Sequence, residues 1–293
     1  MNNSTCLNPF REIGRWMIVW VVAAAFALIG VDAVAGIANT KHNLVSATAA
    51  NNRFAPTSGT AEICVFCHTP HAAATAAAGD TVPPLWNKAL PASGSYTLYD
   101  TNASSTIDGE SITAGSVSIA CLSCHDGSAA MNNMINAPGS GNYNSAGAIF
   151  PGTWTAGTGT ASPVDTSTGR LAARTATTGV GNLGVDLRDD HPIGIQYCGG
   201  GPTVAAPGTA CKDGDFVAPI NTTISGNVVF WVDTGGAGRN KTDMILYNRN
   251  FATAGNAPAV ECASCHDPHS ETNATFLRIS NAASAVCLAC HVK

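Results

Sequence analysis

The sequence predicts a mostly irregular, loop-rich fold with short helices and a few short strands. Glycine, alanine, serine, threonine and asparagine dominate long stretches, notably residues 72–80 and 138–181, in which long periodic segments are scarce. Such composition is typical of loops. Aromatic residues make up only 6% of the chain, and alanine accounts for much of the 45% that is apolar. The side chains alone therefore predict a thin core, which a large apolar bound group would complete.

Residues 1–35 predict a secretory signal peptide. Two arginines precede an apolar run of roughly 15 residues that ends near Gly30, short of the ~20 needed to span a bilayer. A small-x-small site ends at Ala35, so we expect cleavage before Gly36 and export of the remaining chain. The alternative is an uncleaved membrane anchor, which Asp32 disfavours because it interrupts the apolar run. We expect no membrane span in the cleaved chain.

The charge distribution disfavours a nucleic-acid partner. The formal net charge is −5 at pH 7. The lysines and arginines form no cluster of the kind that follows a phosphate backbone. We therefore expect no nucleic-acid binding.

Eight of the 11 cysteines fall in four Cys-x-x-Cys-His motifs. The motifs are Cys64, Cys67 and His68; Cys121, Cys124 and His125; Cys262, Cys265 and His266; and Cys287, Cys290 and His291. The spacing lets both cysteines form thioethers with the vinyl groups of one haem, and the adjacent histidine becomes the proximal iron ligand. Zinc does not require a histidine after every pair, and a thioredoxin-like pair needs a strand–helix–strand context that is missing here. The sequence therefore predicts four covalently attached haem c groups.

The other four histidines supply the sixth ligands that four irons need. They are His42, His71, His191 and His269. Because this count leaves no histidine over, we expect every haem to be bis-histidine, low-spin and closed. Methionine is the alternative axial ligand, but a methionine ligand would leave one histidine without an iron to bind. Catalysis at haem needs an open iron position, so we expect no enzyme activity and no catalytic residues; a multihaem reductase is the less favoured alternative.

Two of these histidines extend an attachment motif. His71 and His269 each follow the proximal histidine by three residues, in the pattern Cys-x-x-Cys-His-x-Pro-His. Axial ligands approach a haem from opposite faces, and three extended residues reach only about 10 Å, too little to go around the ring. Each doubled motif is therefore expected to connect two neighbouring haems.

Two cysteines remain in the mature chain. Cys198 and Cys211 flank a loop rich in glycine and proline that follows His191. In an oxidising compartment, a leftover pair most simply forms a disulfide. Two free or exchange-active thiols are the alternative.

The order of motifs predicts one tetrahaem domain, residues 36–293, built from two dihaem units. A doubled motif is followed by a plain one in approximately residues 36–130 and again in residues 185–293. A loop-rich insert separates the two units. A short strand is predicted at Asn227–Asp233, which is rich in β-branched and aromatic residues.

Several segments resemble those of a known family. They are His42-Asn-Leu, Ile63 to His71, Pro84-Leu-Trp-Asn87, Cys121 to Gly127 and Asp190 to Gly194. Together they resemble the doubled-motif multihaem cytochromes of metal-reducing bacteria, and most of all the OmcE-type tetrahaem proteins of extracellular cytochrome filaments. The resemblance implies electron transfer as a subunit of an extracellular homopolymer, with other redox proteins or extracellular electron acceptors as partners.

The same resemblance implies that one haem takes its sixth ligand from the next subunit. His71 is the favoured inter-subunit ligand and His42 the second choice. The alternative function is a monomeric electron shuttle in the periplasm.

Overall fold

The computed structural model describes residues 36–45, 51–57, 62–75, 84–99, 105–139, 142–159, 162–175 and 177–292. All of them belong to the compact unit Gly36–Lys293. The predicted signal peptide, residues 1–35, lies outside the described residues. In the described ranges, the structure contains no helix with the length and apolar composition to cross a membrane.

The α-helices of the described residues are short, and all of them contain an attachment motif. They are α1 (Ser116–His125), α2 (Cys262–Cys265) and α3 (Ala285–Cys290). The motif forms the last turn of α1, whereas His266 and His291 follow α2 and α3 as capping residues. Residues i, i+3 and i+4 lie on one face of a helix, so a helical turn brings both cysteines and the histidine to the same side.

The first motif adopts the same turn without a longer helix. The backbone N–H groups of Cys67 and His68 both donate to the carbonyl of Cys64, at 3.1 and 2.8 Å. The corresponding bonds of the later motifs join His266 to Cys262 at 3.2 Å and His291 to Cys287 at 2.9 Å. The spacing within the motif therefore produces the same local geometry in different surroundings.

Among the described residues between 53 and 155, the strands form two antiparallel ribbons. Strand β1 (Arg53–Pro56) pairs with β4 (Gly152–Thr155), and β2 (Asn133–Asn136) pairs with β3 (Tyr143–Ile149). The ribbons enclose a cluster of buried apolar side chains, which we call the first cluster: Leu44, Phe54, Val65, Phe66, Met131, Met134, Phe150, Trp154, Val164 and Leu171. Cys67 and Cys124 pack against it, so this core lies beside the first two motifs.

A five-stranded antiparallel sheet lies in the second half. Its order is β5–β9–β8–β7–β6, formed by Ile195–Gln196, Gly255–Val260, Met244–Phe251, Asn227–Val232 and Ile220–Ile224, respectively. Strand β9 ends two residues before α2 begins, so the sheet fixes the position of the third motif. A second cluster, built around Tyr197, Phe230, Val232, Met244 and Leu246, covers the sheet and packs against Cys265 and Cys290.

The predicted fold class is confirmed in its irregular character and short helices. The predicted strand at Asn227–Asp233 is present as β7. The prediction of only a few strands was too low, because β8 and β9 join β7 in a continuous sheet. Strand β8 contains the polar run Asn248 to Asn250 and β9 contains Pro258, so neither has the composition that signals a strand.

Candidate haem centres

Three proximal histidines are oriented by the same type of hydrogen bond. His68, His125 and His266 donate Nδ1–H to the backbone carbonyls of Pro84 at 2.9 Å, Gly181 at 2.6 Å and Thr275 at 2.8 Å. A carbonyl oxygen only accepts, so Nδ1 carries the proton and Nε2 keeps its lone pair. Metal-bound histidines have this arrangement, in which the second ring nitrogen donates to a carbonyl or carboxylate.

Two of the predicted distal ligands share this arrangement. His42 donates Nδ1–H to the carbonyl of Pro268, and His191 donates to that of Pro192, both at 3.0 Å. Burial is the main cause that lowers the pKa of His42 to about 4, and the neighbouring His125 adds to it. Burial also lowers the pKa of His125. Both imidazoles are thereby kept neutral, which is the form that binds iron.

The structure brings four histidines together as two facing pairs. The ring centroids of His42 and His125 are 6.2 Å apart, and those of His68 and His269 are 6.0 Å apart. Two imidazoles on opposite sides of one metal ion have centroids roughly 6 Å apart, since each metal–nitrogen bond is about 2 Å long. The residues of the first two centres therefore fit a haem iron with two histidine ligands.

The surroundings of the third and fourth proximal histidines differ from those of the first two. The ring of His291 contacts that of Phe216, with centroids 4.5 Å apart. His191 is exposed on the loop before β5, and Gly194 of that loop donates to the carbonyl of Val260 at 2.9 Å. His71 is exposed, and its carbonyl oxygen accepts hydrogen bonds from Thr69 and Asn136.

The attachment cysteines form a continuous series in sequence order. Cys67 and Cys124 pack against the first cluster, and Cys124 adds to the rise that burial causes in the pKa of Cys67. The thiols of Cys121 and Cys262 are hydrogen-bonded, and this bond and burial raise the pKa of Cys121. Cys265 and Cys290 pack against the second cluster. Each motif therefore adjoins the next, from the first to the fourth.

Hydrogen bonds of Ser118 and the buried carboxylate of Glu261 join the second motif to the third. Glu261, which is 1% exposed, is the N-cap residue of α2 and accepts hydrogen bonds from Ser118 of α1 and from Arg249 of β8. The hydroxyl of Ser118 also accepts the backbone N–H of Cys262 at 2.9 Å. These hydrogen bonds hold α1 against α2. Removing Arg249 would leave the buried carboxylate of Glu261 without a compensating charge.

The segment Pro84–Lys88 supports the first motif. Asn87 is fully buried, and its backbone N–H donates to the carbonyl of Cys67 at 2.8 Å. Its side-chain amide donates to the carbonyls of Val65 at 2.7 Å and Asn136 at 2.9 Å. Trp86 lies edge-on to His68, with ring centroids 5.7 Å apart. The Leu-Trp-Asn segment thus positions a haem-attachment turn.

Strained backbone is concentrated beside the motifs. Non-glycine residues with positive φ include Ala72 (54°), Leu85 (58°), Thr275 (56°) and Phe276 (61°). Such conformations cost about 1–3 kcal/mol each and persist where the surroundings impose them. Leu85 follows the carbonyl that binds His68, and Thr275 supplies the carbonyl that binds His266. The strain therefore turns these carbonyls toward the imidazoles.

The remaining sulfur-containing residues lie in the core. Cys198 and Cys211 form a disulfide with a Cα–Cα distance of 5.5 Å, next to the second cluster. Met131 and Met134 are buried in the first cluster and Met244 in the second, where they pack against apolar side chains. Their positions support histidine over methionine as the axial ligand.

Comparison with protein families identifies the C-terminal region. Residues 256–293 match the family described as Doubled CXXCH motif. The match contains the third and fourth motifs, and it supports a multihaem c-type cytochrome with covalently bound haem that transfers electrons. A comparison with curated proteins finds no match to the chain.

Sequence reasoning missed three residues of these centres. Phe276 stacks on the ring of His42 with centroids 4.3 Å apart, and nothing in the local sequence signals this contact. Glu261 and Lys88 are charged residues in buried positions, and only their places beside Cys262 and the Leu-Trp-Asn segment could have drawn attention to them.

Proposed function

We propose that this cytochrome carries electrons through four bis-histidine haems and that it is a subunit of an extracellular polymeric filament. The observation that carries the proposal is His71, an exposed imidazole in the first motif of a series that ends at the fourth. The exposed His71 lies at one end of the series and can reach a centre of another copy, which would place the haems of the two copies in line.

The geometry supports a ligand assignment for each centre. His269 serves the haem of His68, and His42 serves the haem of His125, because these pairs face each other near 6 Å. Strand β5 pairs with the end of β9, through Ile195 and Val260, and brings the His191 loop beside the third motif. We therefore assign His191 to the haem of His266.

The fourth centre, with His291 as proximal ligand, then takes His71 of another copy. His42 was the second candidate for this role, but its contacts with Pro268, Phe276 and His125 engage it within its own chain. His71 has the exposure that a ligand for a second subunit needs. Repetition of this contact would extend the series of haems from copy to copy.

Export agrees with the chemistry of the chain. Proteins with c-type haem are typically exported, and the disulfide between Cys198 and Cys211 needs an oxidising compartment. We place the filament outside the cell, where it would pass electrons to other redox proteins or to extracellular acceptors. Under this proposal the protein turns over no substrate.

The test is cryo-electron microscopy of the secreted haem-loaded protein and of His71→Ala. We expect wild-type filaments with an imidazole crossing each subunit boundary, and His71→Ala chains that keep their haem content but do not polymerise. One haem per variant chain should be high-spin, and added imidazole should return it to low-spin without restoring filaments. Thr75→Ala, an exposed substitution in the same segment, is the matched control and should polymerise.

Two results would overturn the proposal. Wild-type single particles whose four haems are all ligated internally would favour the monomeric periplasmic shuttle. Normal filaments from His71→Ala would remove His71 from the subunit boundary.

A further inference from the structure

Two buried charges of opposite sign lie beside the first and second motifs. Lys88 is 2% exposed, and its ammonium group donates to the carbonyls of Met131 at 2.7 Å and Asn133 at 3.0 Å. Asp126 is 9% exposed and follows His125 directly. It accepts hydrogen bonds from the hydroxyl of Tyr96 and the backbone N–H of Ser128, both at 2.8 Å.

Neither charge has an ionic partner among the described residues. The ion pairs found there involve Lys41, Arg174, Arg188, Arg249 and His269 with nearby carboxylates, and they include neither Lys88 nor Asp126. Burial removes most of the water that would screen these charges, and no opposite charge in the described ranges is paired with them. Their electric field therefore acts on the neighbouring groups with little screening. Neutral carbonyl, hydroxyl and N–H dipoles stabilise them without cancelling their charge.

Each charge is close to one haem centre. Lys88 follows Asn87, whose N–H binds the carbonyl of Cys67. Burial raises the pKa of the Cys67 thiol to about 12, and the charge of Lys88 opposes this rise. Asp126 has the corresponding effect on the second centre, since its charge raises the pKa of His125 against the larger lowering by burial. The first centre therefore feels a cation and the second an anion.

We propose that Lys88 raises the reduction potential of the first haem and Asp126 lowers that of the second, so that the two form a potential step. The inference rests on the proposed electron transfer through these centres. Reduction of ferric to ferrous haem removes one positive charge, so a nearby cation favours the reduced state and a nearby anion the oxidised state. With haem bound, each transfer would move one electron from a ferrous centre to a neighbouring ferric centre. Of these two haems, the charges favour the electron on the first, at the His71 end of the series.

The magnitude follows from Coulomb's law. At a separation near 10 Å and an effective dielectric constant near 20, a unit charge changes a one-electron equilibrium about tenfold, which corresponds to ~59 mV. We expect Lys88→Gln to lower the reduction potential of the first haem by ~59 mV, which is this tenfold change in the equilibrium. Asp126→Asn should raise the reduction potential of the second haem by a shift of similar size.

The experiment is a redox titration of the haem-loaded protein, with the ferric haems followed by electron paramagnetic resonance at poised potentials. His269→Met identifies the signal of the first haem, because it replaces the assigned ligand of that haem alone. Lys88→Arg keeps the charge and should retain the wild-type potential. Lys212→Gln, which removes an exposed lysine, is the matched control and should leave all potentials unchanged.

Several outcomes would overturn the inference. The inference would be wrong if Lys88→Gln and Asp126→Asn left the reduction potentials unchanged. It would also be wrong if Lys88→Arg lowered the potential of the first haem as much as Lys88→Gln. If Lys88→Gln does not accumulate with a full haem complement, Asp126→Asn tests the step from its other side. The titration does not require filaments, so it distinguishes failure of this inference from failure of the polymer.

Discussion

The two doubled motifs have the same sequence pattern but different surroundings. In the second, His269 faces His68 and lies under the N-terminal segment, where Lys41 forms an ion pair with Glu271 and His42 binds the carbonyl of Pro268. In the first, the structure leaves His71 exposed, and Ala73 stands where the second motif has Glu271. The pattern supplies an extra histidine, and tertiary contacts decide which haem receives it.

The two motifs are also held in place by different means. Buried hydrogen bonds from Asn87 fix the first, whereas the second lies between the end of β9 and the loop that contains Thr275. The first support leaves the end of the motif free for a contact outside the chain. The second encloses the end of the motif within the fold.

The largest expected effect separates the two extra histidines in dissociated, haem-loaded chains. His269→Ala should convert one additional haem from low-spin to high-spin, because it removes an intramolecular ligand. Under the proposed contact between copies, His71→Ala should add no high-spin haem to the dissociated chain, because His71 serves a haem of another copy. Visible spectra and carbon monoxide binding to the reduced protein measure this difference. Equal effects of the two substitutions would show that the motifs are equivalent and would contradict the assignment.

An intermediate effect concerns the support of each motif. Asn87→Ala removes three buried hydrogen bonds and leaves backbone groups of Val65 and Asn136 unsatisfied, so we expect a loss of about 3 kcal/mol in the free energy of unfolding. Asn273→Ala, its counterpart near the second motif, removes one bond to Leu277 and should cost about 1 kcal/mol. Denaturant unfolding of both haem-loaded variants checks the ranking. A larger loss from Asn273→Ala would mean that the described contacts of Asn87 are not what holds the first motif.

The smallest effect concerns the ion pair over the second motif. The side chains of Lys41 and Glu271 are 47% and 20% exposed, so solvent and salt screen their attraction. Glu271→Gln should lower the free energy of unfolding by about 0.5 kcal/mol at low ionic strength. The difference from wild type should shrink in high salt, which unfolding at two salt concentrations measures. A loss that salt does not reduce would point to the hydrogen bond between the Lys41 N–H and Glu271 instead.

Local chemistry was predictable from the sequence, and ligand pairing was not. The i, i+3, i+4 spacing of each motif specifies the turn that α1, α2 and α3 adopt, and the composition of Asn227–Asp233 specifies β7. The contact of His42 with His125 joins residues 83 positions apart, and it depends on how the N-terminal segment docks on the loop after the third motif. No local pattern encodes such a contact, because it arises from the packing of loops whose composition is shared by most of the chain.

The burial of charged residues could not be predicted from the sequence for a related reason. Glu261 and Lys88 look like surface residues in the sequence, since charged side chains are rarely buried. Their burial follows from partners supplied by distant segments, such as Ser118 for Glu261 and the carbonyl of Met131 for Lys88. The sequence alone predicts which atoms hold the haems and leaves open the charges that act on them.

The contact between Cys121 and Cys262 constrains how the protein is made. Hydrogen-bonded thiols in an oxidising compartment are well placed to be converted to a disulfide, which would consume one attachment site from each of two motifs. We therefore expect haem to be attached to these sulfurs before α1 docks against α2. In that order of events, α1 and α2 would close against each other around cofactors that are already attached.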